Sequence, residues 1–186
     1  DLSQYISDGN SKGHLFYNFN KNYVSKNFEY VELDIQLEQV SDDTYLKAYK
    51  LESPIIQNYT ELTNSIKFLF IDENQTINTN LEIYEDLSKL DNDKYEYVPN
   101  FSFSKIINEN YSFNSQGYYK NYNTNITEKV LINDFEFQSI PKYLNNGFIN
   151  EKKLLVKNVN SDASNSKNFK NKDTVEISPT FQTIYS

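Results

Sequence analysis

Apolar and polar residues alternate strictly between Tyr30 and Val40. One set of alternate positions is apolar, and the other carries carboxylates and an amide. The apolar set is Val31, Leu33, Ile35 and Leu37, and the polar set is Glu32, Asp34, Gln36 and Glu38. Because successive side chains of a β-strand point to opposite faces, this pattern predicts a strand with one apolar and one acidic face.

The same alternation recurs on both sides of short polar turns. It covers residues 66–71 and 77–84, which flank the polar stretch Asp72–Gln75. A looser version runs from Tyr95 to Ile106 and from Tyr111 to Tyr119, on either side of a turn at residues 108–110. Two alternating runs around a short polar turn are typical of an antiparallel hairpin. The pattern therefore predicts two hairpins in the middle of the chain.

Further strands are predicted before and after these hairpins. They are expected at Gly13–Lys21, Asp43–Tyr49, Asn125–Gln138, Phe148–Val159 and Thr174–Tyr185. Long polar loops are expected at residues 50–62, 85–94, 139–147 and 160–173, the last because it is rich in Asn, Ser and Asp.

Together these elements predict an all-β fold, an antiparallel up-and-down meander of about nine or ten long strands. We expect residues 1–186 to form one segment without an internal domain boundary. Most of the predicted strands have about 9–13 residues, whereas strands of globular proteins usually have about 5–6. This excess length favours part of a transmembrane β-barrel, open or incomplete as a fragment, over a soluble sandwich.

Composition narrows the classes of partner and chemistry. The formal net charge is −8 and the lysines are scattered, which argues against a nucleic-acid partner. The absence of cysteine excludes disulfides and thiolate metal sites. The sequence starts at Asp1 without methionine, so we expect a mature segment or an internal fragment. No run approaches the roughly 20 apolar residues of a membrane helix, but a transmembrane strand needs only alternate apolar positions.

Candidate catalytic and metal-binding residues are few, and each has a structural explanation. His14 is the one histidine and is expected at the start of a strand. The polar row from Glu32 to Glu38 is expected to line a wet face. The stretches Asp72–Asn74 and Asp91–Asp93 lack the glycine and terminal glutamate of an EF-hand loop, so they are expected to be turns. We therefore predict no enzymatic activity, no catalytic, metal or cofactor-binding residues and no cofactor.

Two prolines and many aromatic residues leave alternatives open. Pro99 and Pro179 fall within predicted strands, where each marks an edge, a bulge or weak point of the sheet, or a misplaced strand boundary. The 16 tyrosines and 13 phenylalanines fit aromatic girdles at membrane interfaces, with a carbohydrate-binding platform as the alternative.

Several segments resemble the LptD family of lipopolysaccharide (LPS) assembly proteins. The most specific is Ser41–Tyr49 (SDDTYLKAY), which is similar to a recurring stretch of LptD barrels. Weaker similarities, in the same order and spacing, cover Lys12–Tyr17, Tyr95–Phe101, Leu155–Val159 and Ser178–Phe181. Tyr95–Phe101 resembles the part of these barrels where a proline lies inside a strand.

The resemblance implies an internal segment of a non-enzymatic outer-membrane barrel that delivers LPS to the outer leaflet. The partners it implies are LPS, membrane lipid, an LptE-like lipoprotein plug and an LptA-like periplasmic bridge that binds through an N-terminal domain outside this sequence. Substrate-contacting residues cannot be assigned. Two alternatives stay open: a secreted or surface β-sandwich acting as an adhesin or binding module, and another outer-membrane barrel such as a porin.

Overall fold

A computed structural model describes residues 2–7, 10–50, 58–123, 125–167 and 169–185, and almost all of its secondary structure is β-strand. The strands are β1 (Leu2–Ser7), β2 (Asn10–Tyr23), β3 (Tyr30–Val40), β4 (Glu61–Asp72), β5 (Gln75–Asp86), β6 (Tyr95–Asn108), β7 (Tyr111–Tyr122), β8 (Ile126–Gln138), β9 (Lys142–Tyr143), β10 (Phe148–Ser164) and β11 (Lys172–Tyr185). A five-residue helix, α1 (Tyr45–Tyr49), follows β3, and a 3₁₀ turn at Asp91–Lys94 precedes β6.

All of these strands belong to one antiparallel sheet in meander order. Each long strand pairs with its neighbours in sequence, from β1 through β8 to β10 and β11, and the two-residue β9 pairs with β10 beside the main path. The sheet does not close, and β1 and β11 form its opposite edges. The predicted all-β meander is confirmed.

The predicted strand at Asp43–Tyr49 is wrong, because this segment forms a turn and α1. The Asp42 carboxylate accepts hydrogen bonds from the Thr44 hydroxyl (2.6 Å) and the Thr44 N–H (3.1 Å), which bends the chain away from the sheet. Lys50 ends the helix in a left-handed conformation (φ 43°), and its N–H bonds to the Leu46 carbonyl. Local side-chain bonding of this kind competes with strand pairing.

The predicted loop at residues 160–173 is wrong at both of its ends. β10 continues to Ser164, with the segment from Asn160 to Ser164 paired to Leu131–Thr127 of β8, and β11 already begins at Lys172. Turn-forming residues are held in the strand here because their backbone groups pair with a neighbouring strand, and such context overrides β-propensity.

The strands are staggered in a constant direction. Following paired residues from Tyr23 at the end of β2, one row runs through eight pairings to Val175 in β11. The intermediate members of the row are Val31, Phe70, Ile77, Phe103, Ser115, Asn133 and Asn158. β2 ends in this row, whereas β11 continues to Tyr185, ten residues beyond it.

The opposite strand ends shift by the same amount. β2 begins at Asn10, thirteen residues before the row, and β11 begins at Lys172, three residues before it. The shift is ten residues over eight pairings, with about 3.3 Å per residue along a strand and about 4.8 Å between strands. The strands are therefore tilted by about 40° from the perpendicular to the sheet boundary. Strands of closed membrane barrels tilt by about 35–45°.

The registers sort the side chains of β2–β11 into two faces. The predicted division of β3 is confirmed: Ile35 pairs with Phe19 and Ile66, whereas Asp34 pairs with Asn20 and Lys67. The same division continues across the sheet. We call the face of Leu33, Ile66, Leu81, Phe101 and Leu131 the apolar face, and the face of Glu32, Asp34, Asn80, Asn100 and Gln116 the polar face.

Gly117 is placed where no larger residue fits. It lies on the apolar face of β7 opposite Phe101, whose ring covers it. A Cβ atom at this position would stand 2.8 Å from Phe101 Cε1 and 2.9 Å from the backbone oxygen of Val130. The aromatic ring thus shields the strand backbone where the glycine has no side chain.

Gly117→Ala should lower the free energy of unfolding by about 1–3 kcal/mol, because the added methyl must displace backbone as well as a ring. Asn114→Ala, an exposed position on the same strand and the other face, is the matched control and should cost less than about 0.5 kcal/mol. Denaturant unfolding of the refolded protein measures both. Equal stability of the two variants would contradict the close approach.

Candidate functional surfaces

The apolar face is uncovered across the middle of the sheet. Leu81, Phe101 and Leu131 expose 44, 39 and 38% of their surface, although each lies on an inner strand flanked on both sides. Their exposure therefore comes from the face and not from a sheet edge. Monomeric soluble proteins rarely expose a large continuous apolar patch, so the uncovered apolar face is a candidate contact surface.

Aromatic rings on the apolar face follow the stagger. Near the boundary of the sheet that contains the Asp72–Gln75 hairpin, they form contacts such as Tyr111–Phe137 (5.1 Å between centroids) and Phe148–Tyr185 (5.0 Å). Members of this row are Phe70, Phe103, Phe113, Tyr111, Phe137, Phe148 and Tyr185. Tyr97 and Tyr119 lie towards the other end, whereas Tyr17 and Phe101 lie in the middle of their strands. The aromatic residues of the apolar face therefore lie both near the strand ends and in the middle of the sheet.

A hydrogen-bonded polar ladder interrupts the apolar face. The Ser115 hydroxyl lies 2.7 Å from Asn133 Oδ1, and Asn133 Nδ2 donates to Asn158 Oδ1 (3.4 Å). Asn160 Nδ2 also donates to Asn158 Oδ1 (2.5 Å), and Asn158 Nδ2 donates to the Thr174 carbonyl (3.3 Å). Because these amides bond to one another, they can sit on an apolar face at low cost. Sequence reasoning missed the ladder, which depends on cross-strand register.

The polar face holds the predicted acidic row. Asn20 Nδ2 donates to Glu32 Oε1 (2.7 Å) and to Asp34 Oδ2 (3.2 Å), and the Tyr30 hydroxyl donates to Glu32 Oε2 (2.9 Å). A groove of about 360 Å³ opens beside these carboxylates and is lined by Glu32, Asp34, Lys67, Phe68, Leu69, Asn78 and Asn80. Glu32 and Asp34 therefore face solvent-accessible space, as predicted for this row, whereas Glu38 at its end is only 6% exposed.

Charge is divided unequally between the two faces. Among the described side chains of β2–β8, β10 and β11, the polar face carries twelve carboxylates and six lysines, and the apolar face four of each. The polar-face carboxylates are Glu32, Asp34, Glu38, Glu61, Glu82, Asp86, Glu96, Glu128, Asp134, Glu136, Glu151 and Glu176. The polar face therefore carries a net charge of −6 and the apolar face none, with His14 neutral.

Several polar-face lysines are already engaged. Lys120 pairs with Glu96 (2.7 Å), and Lys67, which is opposite Asp34 in register, pairs instead with Glu82 (3.1 Å). In the part of the chain that the structure describes, neither Glu32 nor Asp34 has a lysine within ion-pair distance. Within the described residues, Glu61, Glu128, Glu136 and Glu176 on this face also have no lysine within ion-pair distance.

The β3–β4 ladder stops before the strands end. Its last pair is Gln36–Ser65, and beyond it side chains replace the backbone bonds. Glu38 Oε2 accepts the Thr63 N–H (2.7 Å), while Asn64 accepts the Glu38 N–H (2.9 Å) and donates to the Glu38 carbonyl (3.2 Å). Glu38 is therefore buried, and it links β3 to β4 where the ladder ends. The alternation pattern did not predict this structural role.

A small hydrophobic cluster fills the space above this separation. It consists of Phe16, Tyr45, Leu46, Leu62 and Leu87, all no more than 5% exposed, with Val40 packed against it. Phe16 pairs with Glu38 in register and so belongs to the polar face, which means that the α1 segment folds inward over the polar side of β2. This segment includes Ser41–Tyr49, the stretch with the most specific family resemblance.

His14 lies inside β2 and packs beneath α1. Its Nδ1 is 3.2 Å from the Tyr45 hydroxyl, and its ring stacks on Phe16 with centroids 4.6 Å apart. Within the described residues, no cluster of three or more His, Cys, Asp or Glu side chains is placed to hold a metal ion. His14 therefore has a packing role in the structure. The sequence predicted its location in a strand but not its contact with Tyr45.

Ion pairs tie the α1 segment to β2 and to the 3₁₀ turn that precedes β6. Lys12 lies 3.5 Å from Asp42, and Lys94 bridges Glu85 (2.8 Å) and Asp43 (3.5 Å). The Thr44 hydroxyl, aided by the Thr44 N–H and Lys12, holds the pKa of Asp42 below its ordinary value. The Glu85 carboxylate, with Asp43, raises the pKa of Lys94.

The two predicted turns and the two prolines are placed as follows. Asp72 and Gln75 are the last pair of a hairpin with a two-residue turn, and Asp91–Lys94 forms the 3₁₀ turn. Pro99 lies inside β6, where it pairs with Leu81 while the β7 pairings pass from Asn100–Tyr118 to Tyr97–Asn121. Pro179 lies on the edge strand β11. Both prolines thus sit in true strands, at an interrupted ladder and at an edge.

Asp42→Ala should destabilise the protein at neutral pH and cost less as the pH falls. A carboxyl whose pKa is lowered on folding contributes stability above its unfolded value of 3.8 and loses it as pH drops through the folded value. The difference in Tm between wild type and variant should be constant above about pH 5 and shrink below about pH 4. Asp42→Asn, which keeps an acceptor for Thr44, is the control. A difference that is the same at pH 3 and pH 6 would contradict the role of the charge.

No protein-family model matches this sequence, and a search of curated proteins found no significant match. No helix in the described residues is long and apolar enough to cross a membrane.

Proposed function

We propose that this chain forms part of the wall of an outer-membrane barrel of the LptD type, which delivers LPS to the outer leaflet without covalent chemistry. The observation that carries the proposal is the combination of one uncovered apolar face with a stagger equivalent to a strand tilt of about 40°. An apolar face that meets lipid and a polar face that meets water are what a barrel wall requires.

The placement of charged residues on the apolar face supports a lipid-facing role. Its eight charged side chains all lie within four residues of a strand end. They are Lys21, Asp72, Glu85, Lys105, Lys129, Lys152, Asp162 and Asp173. Charges near the ends can reach the polar headgroup region, whereas a charge at the membrane centre is costly.

The assignment to LPS assembly rests on the family resemblance. Ser41–Tyr49 builds the inward-folded α1 segment, and Pro99 lies within a strand as it does in the similar part of LptD barrels. The implied partners are LPS, membrane lipid, an LptE-like plug and an LptA-like bridge. The implied location is the cell outer membrane, and substrate contacts stay unassigned.

The alternatives differ in what covers the apolar face. A β-sandwich adhesin buries its apolar faces against a second sheet, about 10 Å away. All strands of the described residues belong to one sheet, so within these residues no second sheet packs against the apolar face. A porin has the same kind of wall, and only a functional assay separates it from an LPS translocon.

The decisive experiment is depletion of the full-length protein in its native host. If the proposal holds, newly made LPS accumulates inside the envelope, surface LPS falls, and the protein itself fractionates with the outer membrane. A porin would change permeability to small solutes and leave surface LPS intact. Normal surface LPS after depletion, or recovery of the protein as a water-soluble monomer, would overturn the proposal.

Ile35→Lys should destabilise the membrane-inserted protein by about 2–4 kcal/mol, because it places a charge on the apolar face near the middle of β3. Asn18→Lys, an exposed position on the polar face of the adjacent strand, is the control and should cost less than about 1 kcal/mol. Both are measured by urea unfolding in detergent or lipid. A larger loss for Asn18→Lys would reverse the assignment of the faces.

A further inference from the structure

We propose that Asn146 is a site of spontaneous deamidation, and that the reaction converts the turn before β10 into an isoaspartyl turn. Asn146 is followed by Gly147, and this is the only Asn–Gly pair in the sequence. In such a pair the backbone nitrogen of the glycine can attack the side-chain amide of the asparagine, because glycine has no side chain to block the approach. The reaction needs only water, so it is independent of the proposed function.

The turn that contains this pair joins β9 to β10 through a three-residue loop. Leu144 and Phe148 close the loop, since the Leu144 N–H donates to the Phe148 carbonyl (2.8 Å). Gly147 has a left-handed conformation (φ 83°), and its N–H donates to the Leu144 carbonyl (3.1 Å). A left-handed glycine at the end of a three-residue loop is common in hairpins. A single hydrogen bond therefore restrains the nitrogen that has to attack.

The reacting groups are accessible to water and are held by few contacts. Asn145, Asn146 and Gly147 are all exposed. Among the described residues, no group forms a hydrogen bond with the side-chain amide of Asn146. The short strand β9 has two residues, and both pair only with β10. A segment with so few contacts opens locally at low cost. Opening frees the Gly147 nitrogen, and its closeness to the Asn146 side chain then favours attack.

The reaction balances with water as the one co-reactant. The Gly147 nitrogen forms a bond to Asn146 Cγ, the bond from Cγ to Nδ2 breaks, and ammonia leaves with the proton of the Gly147 N–H. The product is a five-membered succinimide. Hydrolysis at one of its carbonyls gives aspartate, and hydrolysis at the other gives isoaspartate, whose main chain runs through the former side chain. The attacking nitrogen reacts in its deprotonated form, so the rate rises with pH.

Other asparagines of the described residues are less suited to this reaction. Asn145 lies in the same turn, but it is followed by Asn146, whose side chain hinders the attack. Asn165 is exposed but is followed by Ser166, and its amide donates to the Asn125 carbonyl (3.0 Å). Three further asparagines that precede serine lie inside paired strands, at Asn64, Asn114 and Asn160. Asn146 should therefore react first.

Isoaspartate at this position should release β9 from β10. It adds one carbon atom to the main chain between Leu144 and Phe148, so the two hydrogen bonds that close the turn cannot both keep their geometry. The remainder of the sheet should be unchanged, because β10 pairs with β11 from Phe148 onwards and with β8 from Lys153 onwards. Aspartate at position 146 adds a charge but does not lengthen the main chain.

The test incubates the folded full-length protein in detergent, in mildly acidic and in alkaline buffer, and follows each asparagine by peptide mass spectrometry. Asn146 should convert at least about tenfold faster than Asn145, the matched control in the same turn, because only Asn146 precedes glycine. Conversion should be faster in alkaline buffer. A protein isoaspartyl methyltransferase should methylate the peptide that contains residue 146, and Asn146→Gln, which would need a six-membered ring, should remove this methylation.

Hydrogen exchange tests the structural consequence. The N–H groups of Leu144 and Gly147 should lose protection in the isoaspartyl protein and keep it in Asn146→Asp, which carries the charge alone. Equal conversion of Asn145 and Asn146, or conversion of Asn146 only after denaturation, would overturn the assignment of the site. An isoaspartyl protein in which Leu144 keeps its protection would overturn the release of β9.

Discussion

The stagger between neighbouring strands is the constraint on which the rest of the structure depends. Each pairing fixes which residues are side by side, and eight pairings shift the strand ends by ten residues between β2 and β11. Relative to the row of paired residues, Phe70 and Phe103 lie level, Phe137 lies four residues further and Phe148 lies ten residues further. These aromatic residues therefore shift in the same direction as the strand ends.

The local pattern was enough to predict most strands but not their stagger. Alternation with a period of two is a property of one strand, so it located β3, β4 and β5 and sorted their side chains correctly, and it located β8 without sorting its side chains. Register depends on pairing between strands and on turn geometry, which a single strand does not encode. The stagger, the Asn133–Asn158 ladder and the early end of the β3–β4 pairing are all consequences of register, and each appeared only in the structure.

The errors in the sequence prediction have local causes of opposite kinds. At Asp43–Tyr49 the sequence analysis predicted a short strand, but Asp42 bonds to Thr44 and starts a turn. At Asn160–Ser164 the residues are typical of a loop, but pairing with β8 extends the strand. In the first case no strand of the described residues pairs with this backbone, so the side-chain bonds determine its conformation. In the second case the long strand β8 pairs with the backbone, so the pairing determines its conformation.

The acidic character of the polar face has two causes. One is the alternation of apolar and polar positions, and the other is the excess of carboxylates over lysines at the polar positions. Any charge in the middle of a strand must take a polar-face position, because the apolar face tolerates charge only near strand ends. Lysine is suited to those ends, since its long apolar stem lies along the face while its ammonium reaches water. Four lysines occupy apolar-face positions near strand ends, at Lys21, Lys105, Lys129 and Lys152. Nothing in strand geometry, however, requires carboxylates to outnumber lysines twofold on the polar face, so the sign of its charge follows from the residues at those positions and not from the fold.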